Sequence, residues 1–200
     1  MPAAMLGLLL LATGVDVGAV DGAPLAVGDP APVLDFLTAE GWPVRSQLEG
    51  KVVVVDFFAT WCGPCHRALH DLVAIRESLG PGVRFVLVDA SEAPETVQRF
   101  FAQNALPGGA QVTIDPAGKV MRQWGCHSFP TTFLVDRDGT VRHINRGWGP
   151  GYQTRMLKWL HDMLREPPSR RGRRERSGPV AERTNAPLPA REVVRILRGP

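Results

Sequence analysis

The chain has little cysteine for its length. Its 200 residues include three cysteines, an odd number, so at least one of them has no partner inside the chain. Small secreted proteins that rely on crosslinks for stability usually carry four or more. With 44% hydrophobic and 22% charged residues, this chain has the composition of a globular protein with a core. A disulfide scaffold is therefore excluded, and the cysteines need another explanation.

Basic residues are scarce in the body of the chain and concentrated at its end. From Arg165 onward there are ten arginines against four acidic residues, so the first 164 residues carry a formal charge of −3 although the whole chain carries +3. A nucleic-acid-binding domain has its basic surface on the folded part, so we expect no nucleic-acid partner. Residues 165–200, rich in Arg and Pro, are predicted to form a disordered tail. Weak contact of this tail with a membrane, through anionic lipid headgroups, is the alternative.

The N-terminus has no Lys or Arg before its apolar stretch at 5–15, and that stretch is too short to span a bilayer. Val17 and Ala19 nevertheless suit cleavage by signal peptidase. We predict that residues 1–19 are a signal peptide or an uncleaved anchor; a disordered N-terminus or a wrongly chosen start codon is the alternative. The expected location is thus outside the cytoplasm, periplasmic or membrane-associated, and otherwise cytoplasmic. Residues 20–32, rich in Gly and Pro, are predicted to be a linker.

Hydrophobic periodicity divides residues 33–164 into strands and helices of one domain. Nearly continuous apolar runs at 52–58 and 83–88 predict strands buried on both faces, and apolar residues at helical spacing follow Cys65. A turn signal at 136–139 predicts a hairpin of strands 131–135 and 141–145, before a final amphipathic helix at 152–164. This order predicts an α/β fold with a mixed central sheet, helices on both faces and a short N-terminal strand extension at 33–44.

Two of the cysteines, Cys62 and Cys65, stand together in the stretch ATWCGPCH, directly after the apolar run VVVVDFF. Structural zinc needs four ligands, and His66 and His70, beside the pair, do not complete such a site, so no metal is expected. A disulfide across so short a loop stabilises little. A redox pair is favoured, because the following helix would stabilise an exposed Cys62 thiolate for attack. A shielded Cys65 would then resolve the mixed disulfide.

Three neighbouring residues have two interpretations each. Asp56 lies inside an apolar strand, where a raised pKa is expected; it is a candidate proton acceptor for Cys65, through water, or a strand residue that faces a polar gap. Cys126 is either a small buried hydrophobe or a regulatory or intermolecular thiol near the loop before Pro130. His66 either raises the reactivity of Cys62 when protonated or is an exposed helix histidine.

Several stretches together carry a family resemblance: VGDPAPVLDF, LEGKVVVVDFFATWC, WCGPC and SFPTTFLVDRDG. Over residues 26–164 the chain resembles thioredoxin-like proteins of the TlpA/ResA-like branch, exported thiol–disulfide oxidoreductases often tied to cytochrome c biogenesis. The resemblance implies a thioredoxin fold and places Asp56 where thioredoxin has a buried acid and where TlpA-like proteins commonly have Asn. The chain departs from the pattern at Ala68, where TlpA-like proteins often have an acid, and at His70, where thioredoxin has a proline.

The resemblance also implies which residues bind the substrate. It implies a cis peptide bond before Pro130, with backbone groups of Phe129 presented to an extended substrate strand beside the disulfide. Trp61, Gly63 and Pro64 are expected to line the same surface around the cysteine pair; for Trp61 the alternative is a plain core aromatic.

These observations predict a protein disulfide oxidoreductase whose only redox group is the Cys62–Cys65 pair, with no further cofactor. Its expected partners are disulfide-containing proteins and an upstream thiol reductant. The Gly-Pro dipeptide between the cysteines is that of thioredoxin, whose potential near about −270 mV favours a reductase. A thiol peroxidase is one alternative, although Ala59 and Val55 stand where peroxiredoxins need Thr or Ser and Pro. A binding or chaperone module without turnover is the other.

Overall fold

A sheet of five strands forms the centre of the described part of the molecule. The computed structural model describes residues 24–34, 50–79, 81–115 and 117–167. The strands are β1 (Val52–Phe58), β2 (Val83–Asp89), β3 (Gln111–Ile114), β4 (Thr131–Val135) and β5 (Val141–Arg146). They lie in the order β3-β2-β1-β4-β5. β1, β2 and β3 run parallel, whereas β4 and β5 are antiparallel to their neighbours. The predicted mixed sheet is thereby confirmed.

Helices cover both faces of this sheet. They are α1 (Gly63–Ser78), α2 (Pro94–Gln103), α3 (Lys119–Gln123) and α4 (Tyr152–Arg165). α1 begins at Gly63 and has Pro64 in its first turn, where a proline lacks only an N–H that has no helical partner. Since α1 and α4 pack on one face and α3 on the other, the architecture is the one that the resemblance to thioredoxin implies.

β1 contributes to two separate cores because its side chains alternate between the faces of the sheet. On one face, which we call the first core, Val52, Val54 and Phe58 pack with apolar residues of α1, α2 and α4. On the other face, the second core, Val53 and Val55 pack with residues of α3, β4 and β5. All seven residues of β1 are buried, which explains why the sequence shows a continuous apolar run instead of an alternating one.

The described part of the predicted linker packs against the sheet. Gly28 N donates to Val141 O at 2.8 Å and Val141 N donates to Asp29 O at 2.9 Å, and Pro30 forms an isolated antiparallel bridge with Thr140. Residues 28–30, inside the predicted linker at 20–32, are thus bonded to the hairpin. β5 is an edge strand whose outer backbone groups lack a neighbouring strand, and this segment supplies partners for those of Val141, its first residue.

Other predicted segments lie outside the described residues. The signal peptide or anchor at 1–19 is among them, as are most of the strand extension at 33–44 and the tail from residue 168 onward. The chain is tied to the domain as far as Glu166, whose Oε2 pairs with Arg142 Nη1 at 2.6 Å. Within the ranges that the structure describes, no helix has the length and apolar character needed to cross a membrane.

Candidate functional site

The two cysteines lie at the junction where β1 ends and α1 begins. Cys62 is the N-cap of α1 and has extended backbone angles. The backbone N–H of Cys65 donates to Cys62 Sγ at 3.2 Å, while Cys62 O accepts from the N–H groups of Cys65 and His66 at 2.9 and 3.2 Å. The sulfur of Cys62 therefore takes the position that a Ser or Asp side chain takes at an ordinary N-cap. A negative charge on this sulfur would be stabilised by that N–H and by the helix dipole.

Cys62 and Cys65 form a disulfide. We expected an exposed Cys62 and a shielded Cys65, but only 5% of Cys62 and 2% of Cys65 is exposed. Both side chains belong to the first core, in contact with residues of β1 and α1. The expected contrast in exposure is therefore not seen in this disulfide form. What distinguishes the two sulfurs here is the helix N–H donated to Cys62.

An aromatic rim stands beside the disulfide. Trp61 is 72% exposed, and its ring meets that of Phe129 edge to face, with the ring centroids 6.3 Å apart. Gly63 and Pro64, the first residues of α1, are also exposed. The structure thus brings Trp61 and Phe129 together from loops 68 residues apart in sequence, next to the exposed start of the helix. A solvent-exposed aromatic beside a reactive disulfide offers apolar contact to an incoming polypeptide.

Pro130 follows Phe129 through a cis peptide bond, as the resemblance implies. Pro130 itself is buried, and its carbonyl oxygen accepts from Gly147 N at 2.7 Å. Phe129 packs partly against both cores. The hydrogen bond from Gly147 therefore fixes the loop before β4 to the loop after β5, while the ring of Phe129 contacts that of Trp61.

Asp56 is buried beneath this surface, on the face of the sheet that carries the first core. It is 1% exposed and is paired in register with Leu87 of β2 and Thr132 of β4. Thr132 Oγ1 donates to Asp56 Oδ1 at 2.7 Å. Burial raises the pKa of Asp56 to about 7, although the hydrogen bond from Thr132 acts to lower it. Asp56 thus shares its face with Cys65 and has a pKa suited to proton transfer near neutrality.

Two residues that the sequence analysis missed complete the environment of Asp56. Thr132 Oγ1 also lies 3.0 Å from the hydroxyl oxygen of Tyr152, and both residues are buried. Tyr152 is the only tyrosine in the chain. A lone tyrosine at the start of a predicted helix was the available signal, but the helix pattern did not indicate which strand it would face.

A second polar network, also missed, holds the loop before Cys62. Thr60 donates to Glu92 twice, from its N–H at 2.5 Å and from its hydroxyl at 2.6 Å. The carbonyl oxygen of Thr60 accepts from His66 Nε2 at 2.6 Å. All polar groups of Thr60 are therefore engaged, two residues before Cys62. His66 is exposed on α1, in agreement with the second of its two interpretations, and its ring is turned toward this carbonyl oxygen.

Asp89 lies behind Glu92 at the end of β2. Its Oδ1 accepts from Glu92 N at 2.9 Å, and its Oδ2 is buried with no hydrogen-bond partner among the described residues. Burial raises the pKa of Asp89, and the Glu92 carboxylate adds to this rise. Burial opposes ionisation of Glu92 as well, but the hydrogen bonds from Thr60 outweigh it and lower the pKa of Glu92. The sequence could have predicted this network. Thr60 follows β1 and Glu92 follows β2, and the carboxyl ends of two parallel neighbouring strands lie at the same edge of a sheet.

The remaining cysteine and the two departures from the family pattern lie apart from these networks. Cys126 is a free thiol buried in the second core, and burial raises its pKa, in agreement with the first of its two interpretations. Ala68 is fully buried in the first core, where the burial of an unpaired acid would be costly. His70 is exposed on α1. Among the described residues, no three His, Cys, Asp or Glu side chains group as potential metal ligands.

Comparison with known proteins places these features in a wider context. A family model described as Redoxin matches residues 26–155. The thiol-disulfide oxidoreductase ResA of Geobacillus thermodenitrificans is 32% identical over 154 residues, covering 74% of this chain and 86% of that protein. The thiol:disulfide interchange protein HelX of Rhodobacter capsulatus is 30% identical over 136 residues, covering 68% of this chain and 74% of that one. Among solved structures, a thiol:disulfide interchange protein of the thioredoxin family from Chlorobium tepidum superposes with a TM-score of 0.58 at 26% identity, covering 70% of this chain and 98% of that one.

Proposed function

Because the chain belongs to the redoxin family, in its thioredoxin-like TlpA/ResA group, we propose that it reduces disulfide bonds of exported proteins and that Asp56 is its internal base. Thiol–disulfide exchange through the Cys62–Cys65 pair is the activity that its relatives share. Such exchange needs disulfide-containing substrates and a reductant. The observation that carries the proposal is the disulfide at the N-cap of α1, with Cys62 Sγ accepting a helix N–H at 3.2 Å.

The reaction begins from the reduced pair. The Cys62 thiolate attacks one sulfur of a substrate disulfide, forms a Cys62–substrate disulfide and releases the other substrate sulfur as a thiolate. Cys65 then gives its thiol proton to the Asp56 carboxylate, and its thiolate attacks Cys62 Sγ. The second substrate sulfur leaves, both substrate thiolates take protons from solvent, and the Cys62–Cys65 disulfide remains. The substrate gains two electrons, and an upstream dithiol later returns two to the pair.

The role of Asp56 rests on its place and its acidity. The resolving thiol has to lose a proton inside the first core, where water is scarce and a thiolate is costly. A base with a pKa near the working pH is the most effective one, and the pKa of Asp56 is about 7. The other buried acid on this face of the sheet, Asp89, lies at the end of β2 and accepts from the N–H of Glu92.

The substrate surface consists of the aromatic rim and the cis-proline loop. Trp61 and Phe129 offer apolar contact, and the backbone next to Pro130 offers hydrogen bonds to an extended segment in the manner of an added strand. Gly63 and Pro64 leave the approach to Cys62 open, since a Cβ built on Gly63 would meet nothing within 4 Å. This surface suits an unfolded or extended protein segment.

Reduction, export and a link to cytochrome c biogenesis are supported by different observations. The Gly-Pro dipeptide between the cysteines is that of thioredoxin, which supports the reducing direction. The apolar stretch at 5–15 and the small residues after it support export. A link to cytochrome c biogenesis rests on the resemblance alone. Loss of covalently bound haem c in a deletion strain, restored by the wild type and not by Cys62→Ser, would test it.

The redox potential of the pair and its turnover test the proposed reduction together. We expect a potential on the reducing side, close to that of thioredoxin at about −270 mV, and reduction of insulin disulfides in the presence of dithiothreitol. Cys62→Ser should abolish this activity, while Cys126→Ser, which changes a thiol of the other core, should keep it. A potential near that of DsbA, about −120 mV, would make the protein an oxidant. Absence of turnover in the wild type would instead support a binding module.

A further inference from the structure

Three buried polar side chains form a continuous hydrogen-bond chain in the first core. The Tyr152 hydroxyl lies 3.0 Å from Thr132 Oγ1, which in turn lies 2.7 Å from Asp56 Oδ1. At most 1% of any of the three residues is exposed. The members come from α4, β4 and β1. Most buried polar groups are hydrogen-bonded, and these three bond to one another.

The direction of this chain follows from the number of protons available. Thr132 has one hydroxyl proton, and an ionised carboxylate can only accept. The proton of Thr132 therefore points to Asp56 Oδ1, and its oxygen is left to accept from Tyr152. Tyr152 can serve as that donor because burial raises its pKa well above the ordinary value, so its hydroxyl keeps its proton. Both protons thus point toward the carboxylate.

We propose that Thr132 and Tyr152 are positioning residues that hold Asp56 ready to accept the proton of Cys65. The proposal deepens the proposed function, because it depends on Asp56 being the base. Thr132 and Tyr152 keep their own protons throughout. The proton of the Cys65 thiol goes to Asp56, and it later leaves Asp56 for solvent.

The hydroxyls of Thr132 and Tyr152 counteract an effect of burial on the Asp56 carboxyl group. A carboxyl group in an apolar core tends to stay protonated, and a protonated Asp56 cannot accept from Cys65. A hydrogen bond donated to the ionised form opposes this tendency. A second donor behind the first polarises it and strengthens the bond to the carboxylate. The backbone register alone brings Thr132 opposite Asp56, whereas the partner of Thr132 had to be supplied by α4.

Few other titratable groups among the described residues face the Tyr152–Thr132–Asp56 hydrogen-bond chain from the elements packed around it. α1 contributes Cys65 and, farther off, Asp71, whose Oδ2 accepts from Trp148 at 2.8 Å. α4 contributes Arg155, which donates to Asn145. β2 places Leu87 opposite Asp56 and Asp89 at the strand end, and the free Cys126 packs in the second core, beyond the sheet. Asp71 and Arg155 act on the pKa of Tyr152 in opposite directions.

The test is to titrate Asp56 directly in the reduced full-length protein, by carboxyl-carbon NMR, in single and double variants. Thr132→Val removes the donor with little change of volume, and we expect it to raise the pKa of Asp56 by about 1 to 2, the worth of a hydrogen bond to a charged group. Tyr152→Phe should raise it by about half as much. In the double variant, Tyr152→Phe should add nothing, since Tyr152 acts only through Thr132.

Two further variants keep this test decisive. Thr131→Val removes a neighbouring buried hydroxyl that bonds to Ser128 O at 2.7 Å, and it should leave the pKa of Asp56 unchanged. Thr132→Ser retains the hydroxyl and should behave like the wild type. If Thr132→Val does not fold, the comparison of Thr132→Ser with Tyr152→Phe still decides, because only the latter should move the titration.

Three outcomes would overturn the inference. One is a pKa of Asp56 that shifts no more in Thr132→Val than in Thr131→Val. Another is a Tyr152→Phe variant that titrates like the wild type. The third is a Tyr152→Phe substitution that shifts the pKa of Asp56 equally in the wild type and in the Thr132→Val variant. Failure of the proposed function is a separate result: there, Asp56→Asn leaves the pH profile of Cys65 resolution unchanged, whatever the titration of Asp56 shows.

Discussion

Two buried carboxyl groups, Asp56 and Asp89, lie on adjacent strands and make an instructive comparison. Asp56 is 1% exposed and Asp89 is fully buried. They face the same side of the sheet, since Asp56 pairs in register with Leu87 and Phe58 pairs with Asp89. Burial raises the pKa of each. By burial alone the two groups are nearly equivalent.

Their partners differ. Asp56 receives a neutral hydroxyl, which leaves it free to gain or lose a proton without breaking a charge pair. Asp89 receives a backbone N–H and faces a second carboxylate, Glu92, whose own pKa is lowered. Two close carboxylates disfavour double ionisation, so the charge of this pair rests on Glu92, which holds Thr60. Similar burial thus gives Asp56 the properties that the proposed base needs, whereas Asp89 lies behind the carboxylate of Glu92 that holds Thr60.

The largest expected effect is on the pH dependence of stability, which Asp56 should dominate. The folded-state pKa of Asp56 is about 7 and its ordinary value is 3.8, so the folded protein binds this proton more tightly and loses stability as pH rises from about 4 to 7. Asp56→Asn carries no such proton. The variant should match the wild type near pH 4 and exceed it by up to roughly 4 kcal/mol at pH 8.

Urea unfolding of the oxidised protein between pH 4 and 8 measures this difference. Asp89→Asn should change stability in the same direction. A stability difference between wild type and Asp56→Asn that stays constant with pH would contradict the raised pKa of Asp56.

The second prediction compares the two acids by the rate at which the mixed disulfide of Cys62 is resolved. Asp56→Asn should slow resolution of the Cys62 mixed disulfide about a hundredfold at neutral pH, the lower range for loss of a general base, and should flatten the rise in rate near pH 7. Asp89→Asn should leave that rise in place, because Asp89 does not act on Cys65. Stopped-flow tryptophan fluorescence of single-turnover reactions would follow both. Equal slowing by the two substitutions would show that the acids are not distinct.

A change at Glu92 tests the supporting role of the second acid. Glu92→Gln keeps the shape but removes the charge that binds Thr60, and we expect a loss of about 1 to 2 kcal/mol in unfolding free energy. The pKa of Asp89 should fall toward its ordinary value, because a like charge has been removed. Glu95→Gln, an exposed acid in the first turn of α2, is the matched control. No change in the titration of Asp89 would argue against the coupling.

The smallest expected change to the protein itself comes from the rim, outside both networks. Trp61→Ala should alter stability by less than about 1 kcal/mol, since the ring is 72% exposed and has one aromatic neighbour on the rim. It should leave the pKa of Asp56 unchanged and raise KM for a protein substrate several-fold. Steady-state kinetics with insulin, alongside a small disulfide as control substrate, would reveal this. A large shift in the pKa of Asp56 in this variant would mean that Trp61 is coupled to Asp56.

Local sequence patterns were sufficient for much of this protein. The apolar run before Cys62 predicts β1, the proline after it marks the start of a helix, and an acid within the run predicts a buried base. These features depend on neighbours a few residues apart: side-chain alternation, helix periodicity and the geometry of the first helical turn. The cis bond before Pro130 came from the family resemblance instead, because sequence alone favours trans.

Other features could be read only from the tertiary structure. Thr132 lies 76 residues from Asp56, and Glu92 lies 32 residues from Thr60. Residues 28–31, inside the predicted linker at 20–32, bond to the hairpin at the open edge of the sheet. The sequence by itself determined where the cysteines, the buried acid and the strands would be. Which hydroxyl meets which carboxyl was decided by strand register and helix docking, which depend on how the whole core packs.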